Sequence, residues 1–535
     1  MLLLRQLAFV DHATGGRASP RSFGLTWRPV GKRALALDLG SSSVRAIVFE
    51  PAGPREVVPV PGAMARRYRH LVSAEPGQAT FDAEDYLSDL VACIEELHSR
   101  GDLEGVTDIC LDSQWHSVMA VGPGGRPLTE VVSWADTRPY RSWPASTPEE
   151  LEALRQRTGC AFAPMYWTWR LPWLRGLLGS RPERFLGLSE YVGLRLLDEP
   201  AMSVSIASGT GLLATAALTW DEEALELAGA SFDVLPPLAG PDWEGYLAPS
   251  WARRWPELAS ARWHAALGDG AAANLGVGCD APSRAAMTVG TSAAVRMVRP
   301  APDNSVLAPG LWRYCVDHER ALIGAAFSSG GELYAWALAL WEGTAEMGLA
   351  GDGDGGGGAS GTPRKLRFGL EVPVGAGSDG VLVLPWQAGT RPPEVPVPAG
   401  MGAVLGLSLA HTGAHVVSAA VEAICFQLAK GLEELEADAE NPLEVVVNGG
   451  AVERSQWWKF RLAAALHRPA LFSSAPETTA RGAAAEALGV ELGSAGIEVQ
   501  VVKPAEEDVA ALIVARRRWA EYYQTLLPIV TNRAG

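Results

Sequence analysis

The segment Ala34-Leu-Ala-Leu-Asp-Leu-Gly-Ser-Ser-Ser-Val-Arg-Ala-Ile-Val-Phe49 constrains the fold of this chain more than any other. Ala34–Leu37 and Ala46–Phe49 are apolar runs of strand length around the turn Gly40-Ser41-Ser42-Ser43. Asp38 stands at the mouth of the turn. Gly40 lets backbone pass close to a bound group, and the serines add hydroxyls and free N–H groups. Such a hairpin can wrap phosphates, with Asp38 placed for a hydrated divalent cation. An ordinary polar hairpin reads the same way, so the rest of the chain decides between the two.

At 535 residues the chain has room for two or three domains. A formal charge of −16 argues against nucleic acid or an anionic membrane as the main partner. Anionic nucleotides remain accessible through local donors such as glycine turns and helix N-termini. Cys93, Cys110, Cys160, Cys279, Cys315 and Cys425 form no CxxC and have no His at zinc-ligand spacing, which fits core thiols in a reducing cytosol. The apolar start Met1–Val10 is broken by Arg5 and Gln6, and no window reaches the ~18 apolar residues of a membrane span. Residues 1–32 are read as a loose extension without a role in catalysis.

Further along, the periodicity predicts a helix over Ala83–His98 and a strand over Val106–Leu111 ending at Asp112-Ser-Gln-Trp-His-Ser117. Short strands come next at Val118–Val121 and Val131–Val132. Pro148–Leu197 reads as helical, and its Trp167, Trp169 and Trp173 favour core packing over a sugar platform. In the second half, strand Ala285–Val289 runs into Gly290-Thr291-Ser292, and strand Leu443–Val447 runs into Asn448-Gly-Gly-Ala451. Between them Thr412 caps a long helix to about Glu436. The expected division is an extension (1–32), a sugar-binding lobe (33–260), a nucleotide-binding lobe (261–510) and a C-terminal helix and tail (511–535). Gly351–Gly356 match GxGxxG only through low complexity, and no GxxxxGK[ST] occurs.

Asp269 lies in Leu267-Gly-Asp-Gly270, where the flanking glycines leave its carboxylate accessible. Between two lobes it can take the proton of a hydroxyl that attacks a phosphoryl group. An Asp in a helix-initiating turn is the plain alternative. Gln114, Trp115 and His116 end one strand, and Asp136 and Arg138 close the next, where α/β sheets present ligand-binding groups. That set of amide, imidazole, carboxylate and guanidinium suits a polyhydroxylated ligand.

In order and spacing these pieces resemble the FGGY family of carbohydrate kinases over roughly residues 34 to 495. The resemblance rests on Asp38–Arg45, Ser113–His116 with Trp134–Arg138, Gly268-Asp-Gly270 and Thr288-Val-Gly-Thr291. It continues through Ser329-Gly-Gly-Glu332, Asn448–Ser455 and Ala480-Arg-Gly-Ala483. It implies an α/β, two-lobed actin-like ATPase (ribonuclease H-like) fold with a nucleotide cleft, and ATP-dependent, Mg²⁺-assisted phosphorylation of a sugar or sugar acid. By the same resemblance Asp269 is the general base and Asp38 helps hold Mg²⁺. Gly40, Ser41, Ser42, Ser43, Arg45, Gly290 and Thr291 surround the phosphates. Gly331, Gly449, Gly450 and Arg454 line the adenosine side, while Gln114, Trp115, His116, Asp136 and Arg138 face the sugar. A homodimer is a family expectation.

Trp115–Val118, Ser133–Arg138, Arg157–Cys160 and Ser205–Leu212 look most like gluconokinase-type members, with Arg138 as the candidate partner of a gluconate carboxylate. Ketoses, polyols and a sugar-binding homologue without turnover are the alternatives, together with a non-enzymatic ATP switch. Two segments depart from the family pattern. Thr390 stands in Leu384-Pro-Trp-Gln-Ala-Gly-Thr-Arg-Pro-Pro393 where Glu is usual, with the Asp and Arg that usually come after it missing by Met401. A glycine-rich loop at 351–361 replaces helical sequence. Both are expected to reshape the second lobe.

Overall fold

The computed structural model describes residues 31–141, 146–179, 182–342, 372–391, 394, 397, 399–437, 439, 441–493 and 498–531. The glycine-rich loop, most of the N-terminal extension and the last four residues lie outside them.

The opening hairpin forms as the sequence predicts. Strands β1 (Arg33–Leu39) and β2 (Ser43–Gly53) pair antiparallel with Asp38 opposite Arg45, and β3 (Glu56–Tyr68) continues the meander. Helix α1 (Ala83–Arg100) starts on Asp82, whose carboxylate accepts from the N–H groups of Glu84 and Asp85. It stops at Gly101 in the left-handed region (φ 75°). Its buried stripe of Leu87, Leu90, Ile94 and Leu97 returns the chain to β4 (Val106–Ser113), which lies parallel to β1. The first sheet runs β5 (Glu244–Gly245), β6 (Arg262–His264), β4, β1, β2, β3, with β7 (Leu267–Gly268) also paired to β4. The expected division at 260/261 therefore falls inside this sheet.

The second sheet repeats the plan. Strands β8 (Arg284–Val289), β9 (Ala293–Pro300) and β11 (Arg320–Phe327) form an antiparallel meander edged by β10 (Trp312–Cys315). After the crossover, β12 (Glu444–Asn448) lies parallel to β8 as β4 lies to β1. Strands β13 (Ala470–Ser473) and β14 (Val499–Val502) complete the sheet. A strand–turn–strand followed by a parallel strand beside the first thus occurs twice, once per lobe.

Helix α2 (Asp269–Gly276) and helix α3 (Thr478–Leu488) cross between the lobes. They approach so closely that a Cβ on Gly276 would lie 1.8 Å from the Thr478 carbonyl oxygen. Arg481 donates to the carbonyls of Gly276 (2.7 Å) and Val57 (3.1 Å), tying the crossing to the first lobe.

One correction concerns Pro148–Leu197. It is helical at Pro148–Thr158, Trp167–Leu178 and Leu188–Leu196, but Arg184–Leu186 is a strand paired with Met119–Val121. Phe185 and Leu186 are fully buried there, so three residues of extended chain fill an edge that helical periodicity conceals. Trp167 and Trp169 are core residues whose indole N–H groups donate to the carbonyls of Ser117 and Pro139. Among the described residues one helix, Gly413–Glu436, is long and apolar enough to cross a membrane. Its apolar window is 83% buried within the protein.

Candidate active site

The first turn carries an ion-pair cluster. Arg45 reaches back across the hairpin to Asp38 (3.0 Å) and forward to Glu477 of the second lobe (2.6 Å), and its Nε donates to the Ser43 hydroxyl (3.0 Å). Arg66 pairs with the other oxygen of Glu477. The Gly40 carbonyl accepts from Tyr86 (2.9 Å), while Ser42 is exposed and Ser41 half-exposed. The turn is braced from behind and open in front.

In the second lobe, Gly331 N–H donates to the Gly290 carbonyl (2.7 Å) and Glu332 N–H to that of Thr291 (3.2 Å). Gly449 has φ 118°, and a Cβ there would lie 2.2 Å from the Val289 carbonyl oxygen, so only glycine fits. The loops around Gly290, Gly331 and Gly449 therefore converge. Gly450 opens the short helix Gly450–Glu453 into free space, and Arg454 stands exposed at its end.

Asp269 opens α2 directly after β7 and its Oδ1 accepts from the Gly270 N–H (2.8 Å). Burial raises its pKa above the ordinary 3.8, and Arg296 opposes that rise. Trp115 lies beneath this turn, and a Cβ on Gly268 would fall 1.9 Å from its ring. Its N–H is spent on the Ser205 carbonyl (2.9 Å), so it contributes a ring surface rather than a polar contact.

Gln114 is only 2% exposed, and neither end of its amide has a hydrogen-bond partner among the described residues. A buried amide left open in this way is costly unless a ligand completes it. His116 holds a left-handed backbone (φ 68°), and its Nδ1 lies 2.5 Å from the Gly209 carbonyl, which can only accept. Nδ1 therefore carries the proton, and burial drives the imidazole pKa down to about 3, so the ring is neutral with Nε2 as an acceptor. Asp136 accepts from the Ala79 N–H (3.0 Å) and from Arg138, whose guanidinium also pairs with Glu75 (2.8 Å).

Several residues here were not singled out from sequence. Asp112 lies opposite Asp38 across β1 and β4, is fully buried, and its carboxyl meets the Asp38 carboxyl but no other side-chain donor among the described residues. Burial and the Asp38 charge push its pKa well above the ordinary range. Its place at the C-terminal end of a strand, two residues before Gln114, was the available signal. Arg296 and Arg391 both act electrostatically on Asp269, and the Arg391 guanidinium lies 4.1 Å from the Trp134 ring centroid. Arg391 belongs to the departing segment, which folds back through a Thr390–Val397 pair in which each residue's backbone N–H donates to the other residue.

Among the described residues no three His, Cys, Asp or Glu side chains form a self-sufficient metal cage. Asp38 and the orphaned oxygens of Asp112 nonetheless fit Mg²⁺, which takes one or two carboxylates and completes its shell with phosphate oxygens and water.

Comparison with known proteins agrees with this geometry. The chain is 26% identical over 440 residues to a gluconokinase of Bacillus subtilis (strain 168), covering 79% of this chain and 81% of the relative. It is 29% identical over 471 residues to a glycerol kinase of Citrifermentans bemidjiense, covering 84% and 88%. Solved structures of a ligand-bound xylulose kinase and a gluconate kinase, both from Lactobacillus acidophilus, superpose with TM-scores of 0.81 and 0.79. Both are 21% identical, covering 94% and 93% of this chain and 99% and 98% of theirs, and they establish the fold. Residues 33–276 match the N-terminal domain, and residues 285–488 the C-terminal domain, of the FGGY family of carbohydrate kinases. With two such lobes closing on a glycine-flanked aspartate, the chain is a carbohydrate kinase and belongs to the FGGY family.

Proposed function

We propose that this kinase transfers the γ-phosphoryl group of ATP to a hydroxyl of gluconate, with Asp269 as general base. The observation that carries the reading is Asp269 itself. It is a carboxylate with a raised pKa at the start of α2, with Arg296 and Trp115 beside it. A raised pKa makes it a better acceptor for the proton leaving the attacking hydroxyl, and phosphoryl transfer otherwise needs chiefly positioning and charge.

Gly40, Ser41, Ser42, Ser43 and Arg45 cradle the phosphates from the first lobe, and Gly290 and Thr291 meet them from the second. Gly331, Gly449, Gly450 and Arg454 border the adenosine. Gln114 and the Nε2 of His116 take sugar hydroxyls over the Trp115 floor, with Asp136 and Arg138 shaping the adjoining wall. Asp38 and Asp112 would hold Mg²⁺, which when bound neutralises phosphate charge. A chain with a formal charge of −16 that works on a small metabolite suits a cytoplasmic setting.

Gluconokinases, xylulose kinases and glycerol kinases are similar to this chain at comparable identity, and gluconate is favoured among their substrates by the cationic groups facing the base. The test is ADP release with Mg·ATP across aldonates, ketoses and polyols. Gluconate is expected to have the highest kcat/KM; a neutral ketose or glycerol outperforming it would overturn the substrate assignment while leaving the kinase intact.

A further inference from the structure

The cation suggested by sequence for the substrate's carboxylate, Arg138, is already engaged. Its Nε and Nη2 donate to Asp136 at 2.7–3.1 Å, its Nη1 to Glu75 at 2.8 Å, and its plane lies 5.2 Å from the Trp173 centroid. A guanidinium with two carboxylate partners offers little to a third.

Two other guanidinium groups are differently placed. Arg391 lies flat on Trp134 and, among the described residues, forms neither a salt bridge nor a hydrogen bond. Its charge acts on Asp269, Glu332 and Arg296 and is felt at His116. Arg296, on β9, touches the turn that carries Asp269, since a Cβ on Gly270 would lie 3.2 Å from its Nε. That Nε is buried without a partner, and Nη1 reaches only the Thr288 hydroxyl at 3.3 Å.

A buried donor on a cation, such as the Arg296 Nε, is costly until an anion completes it, and the half-buried Arg391 beside it adds a second guanidinium with no ion-pair partner among the described residues. Asp269 cannot be that anion throughout the reaction, because it must accept a proton. Arg391 rests on Trp134 and is sensed by His116, both on the sugar-facing loops. The open donors therefore face the acceptor substrate.

We propose that Arg391, with Arg296 beside it, receives the carboxylate of a sugar acid and gives the enzyme its selectivity for aldonates over neutral sugars and polyols. This inference rests on the kinase reading under Proposed function. The planar, forked donors of two arginines match a carboxylate bidentately, and stacking on Trp134 holds one fork in place.

The test compares kcat/KM for gluconate with that for xylulose in wild type, R391Q, R296Q, R391K and R138Q. The gluconate-to-xylulose ratio is expected to fall at least about tenfold in R391Q and R296Q, mainly through the KM for gluconate. R391K should recover part of it, and R138Q should affect both substrates in proportion. An unchanged ratio in R391Q and R296Q, a ratio that falls only in R138Q, or an equal loss of kcat for both substrates (a role at the transferring phosphoryl group) would overturn the proposal. Should the glutamine variants not fold, calorimetric binding of gluconate and glucitol to wild type and R391K decides. Gluconate should bind at least about tenfold tighter, with the margin reduced in R391K; equal affinities overturn the clamp. Turnover of xylulose with no turnover of any aldonate overturns the gluconate assignment and the clamp together. Efficient aldonate turnover indifferent to Arg391 and Arg296 overturns the clamp alone.

Discussion

Asp112→Asn should make the metal-free, nucleotide-free protein more stable at neutral pH. The Asp112 carboxylate is fully buried, meets only the Asp38 carboxyl and no cationic or neutral side-chain donor among the described residues, and Asp38 and Asp269 add like charge. In the folded protein its pKa lies well above the ordinary 3.8, whereas the unfolded chain ionises freely. The resulting burden is absent below 3.8 and grows as pH rises. An ionised carboxylate buried beside like charges without a paired cation is costly. An asparagine amide recovers only part of this, because an unsatisfied buried polar group itself costs about 1–3 kcal/mol. A net gain of about 1–3 kcal/mol at pH 7.5 is predicted, with a Tm about 1–3 °C higher, at ~1 °C per kcal/mol for a chain of this length. Urea and thermal midpoints, followed by tryptophan fluorescence without Mg²⁺ or ATP, measure it at pH 7.5 and 5.0. The advantage should shrink at pH 5.0, where the unfolded chain ionises the group less fully. An Asn variant no more stable than wild type at pH 7.5, or an advantage independent of pH, refutes the electrostatic reading of this carboxylate.

The same substitution should weaken Mg·ATP binding, by about tenfold or more for loss of a charged contact, read by calorimetry at fixed free Mg²⁺. Gly449→Ala should cost about 1–3 kcal/mol of backbone strain and weaken nucleotide binding more than sugar binding, because φ 118° and a 2.2 Å approach to the Val289 oxygen exclude a Cβ; wild-type nucleotide affinity in this variant would contradict the loop assignment. The acidic limb of the kcat profile should have an apparent pKa above 3.8, since burial raises Asp269 and the base form is lost as pH falls through that raised value. A profile flat down to pH 4 would remove Asp269 from the role of base.

The sequence made the lobes legible because each begins with an apolar–turn–apolar hairpin whose period and punctuation are local. The same holds for Asp269, whose flanking glycines are adjacent in the chain, and for the long helix after Thr412. What sequence hid was distance. Asp112 matters because β1 and β4 bring it beside Asp38, 74 residues away in the chain. Arg391 looked like part of an eroded motif, and only the fold sets it on Trp134. Arg138 looked free because its partner Glu75 comes from a distant loop. Trp115 reads from sequence as a sugar-facing residue; only the fold shows that its N–H donates to Ser205, so that its ring alone is left to face a ligand, and that the ring lies against the Asp269 turn.

The most direct test of the account is sugar-dependent ADP formation in wild type and Asp269→Asn, beside calorimetric binding of gluconate to both. The account predicts a loss of about 10²–10⁴-fold in kcat with gluconate binding retained, as for removal of a general base. Turnover in Asp269→Asn within a few-fold of wild type would contradict it.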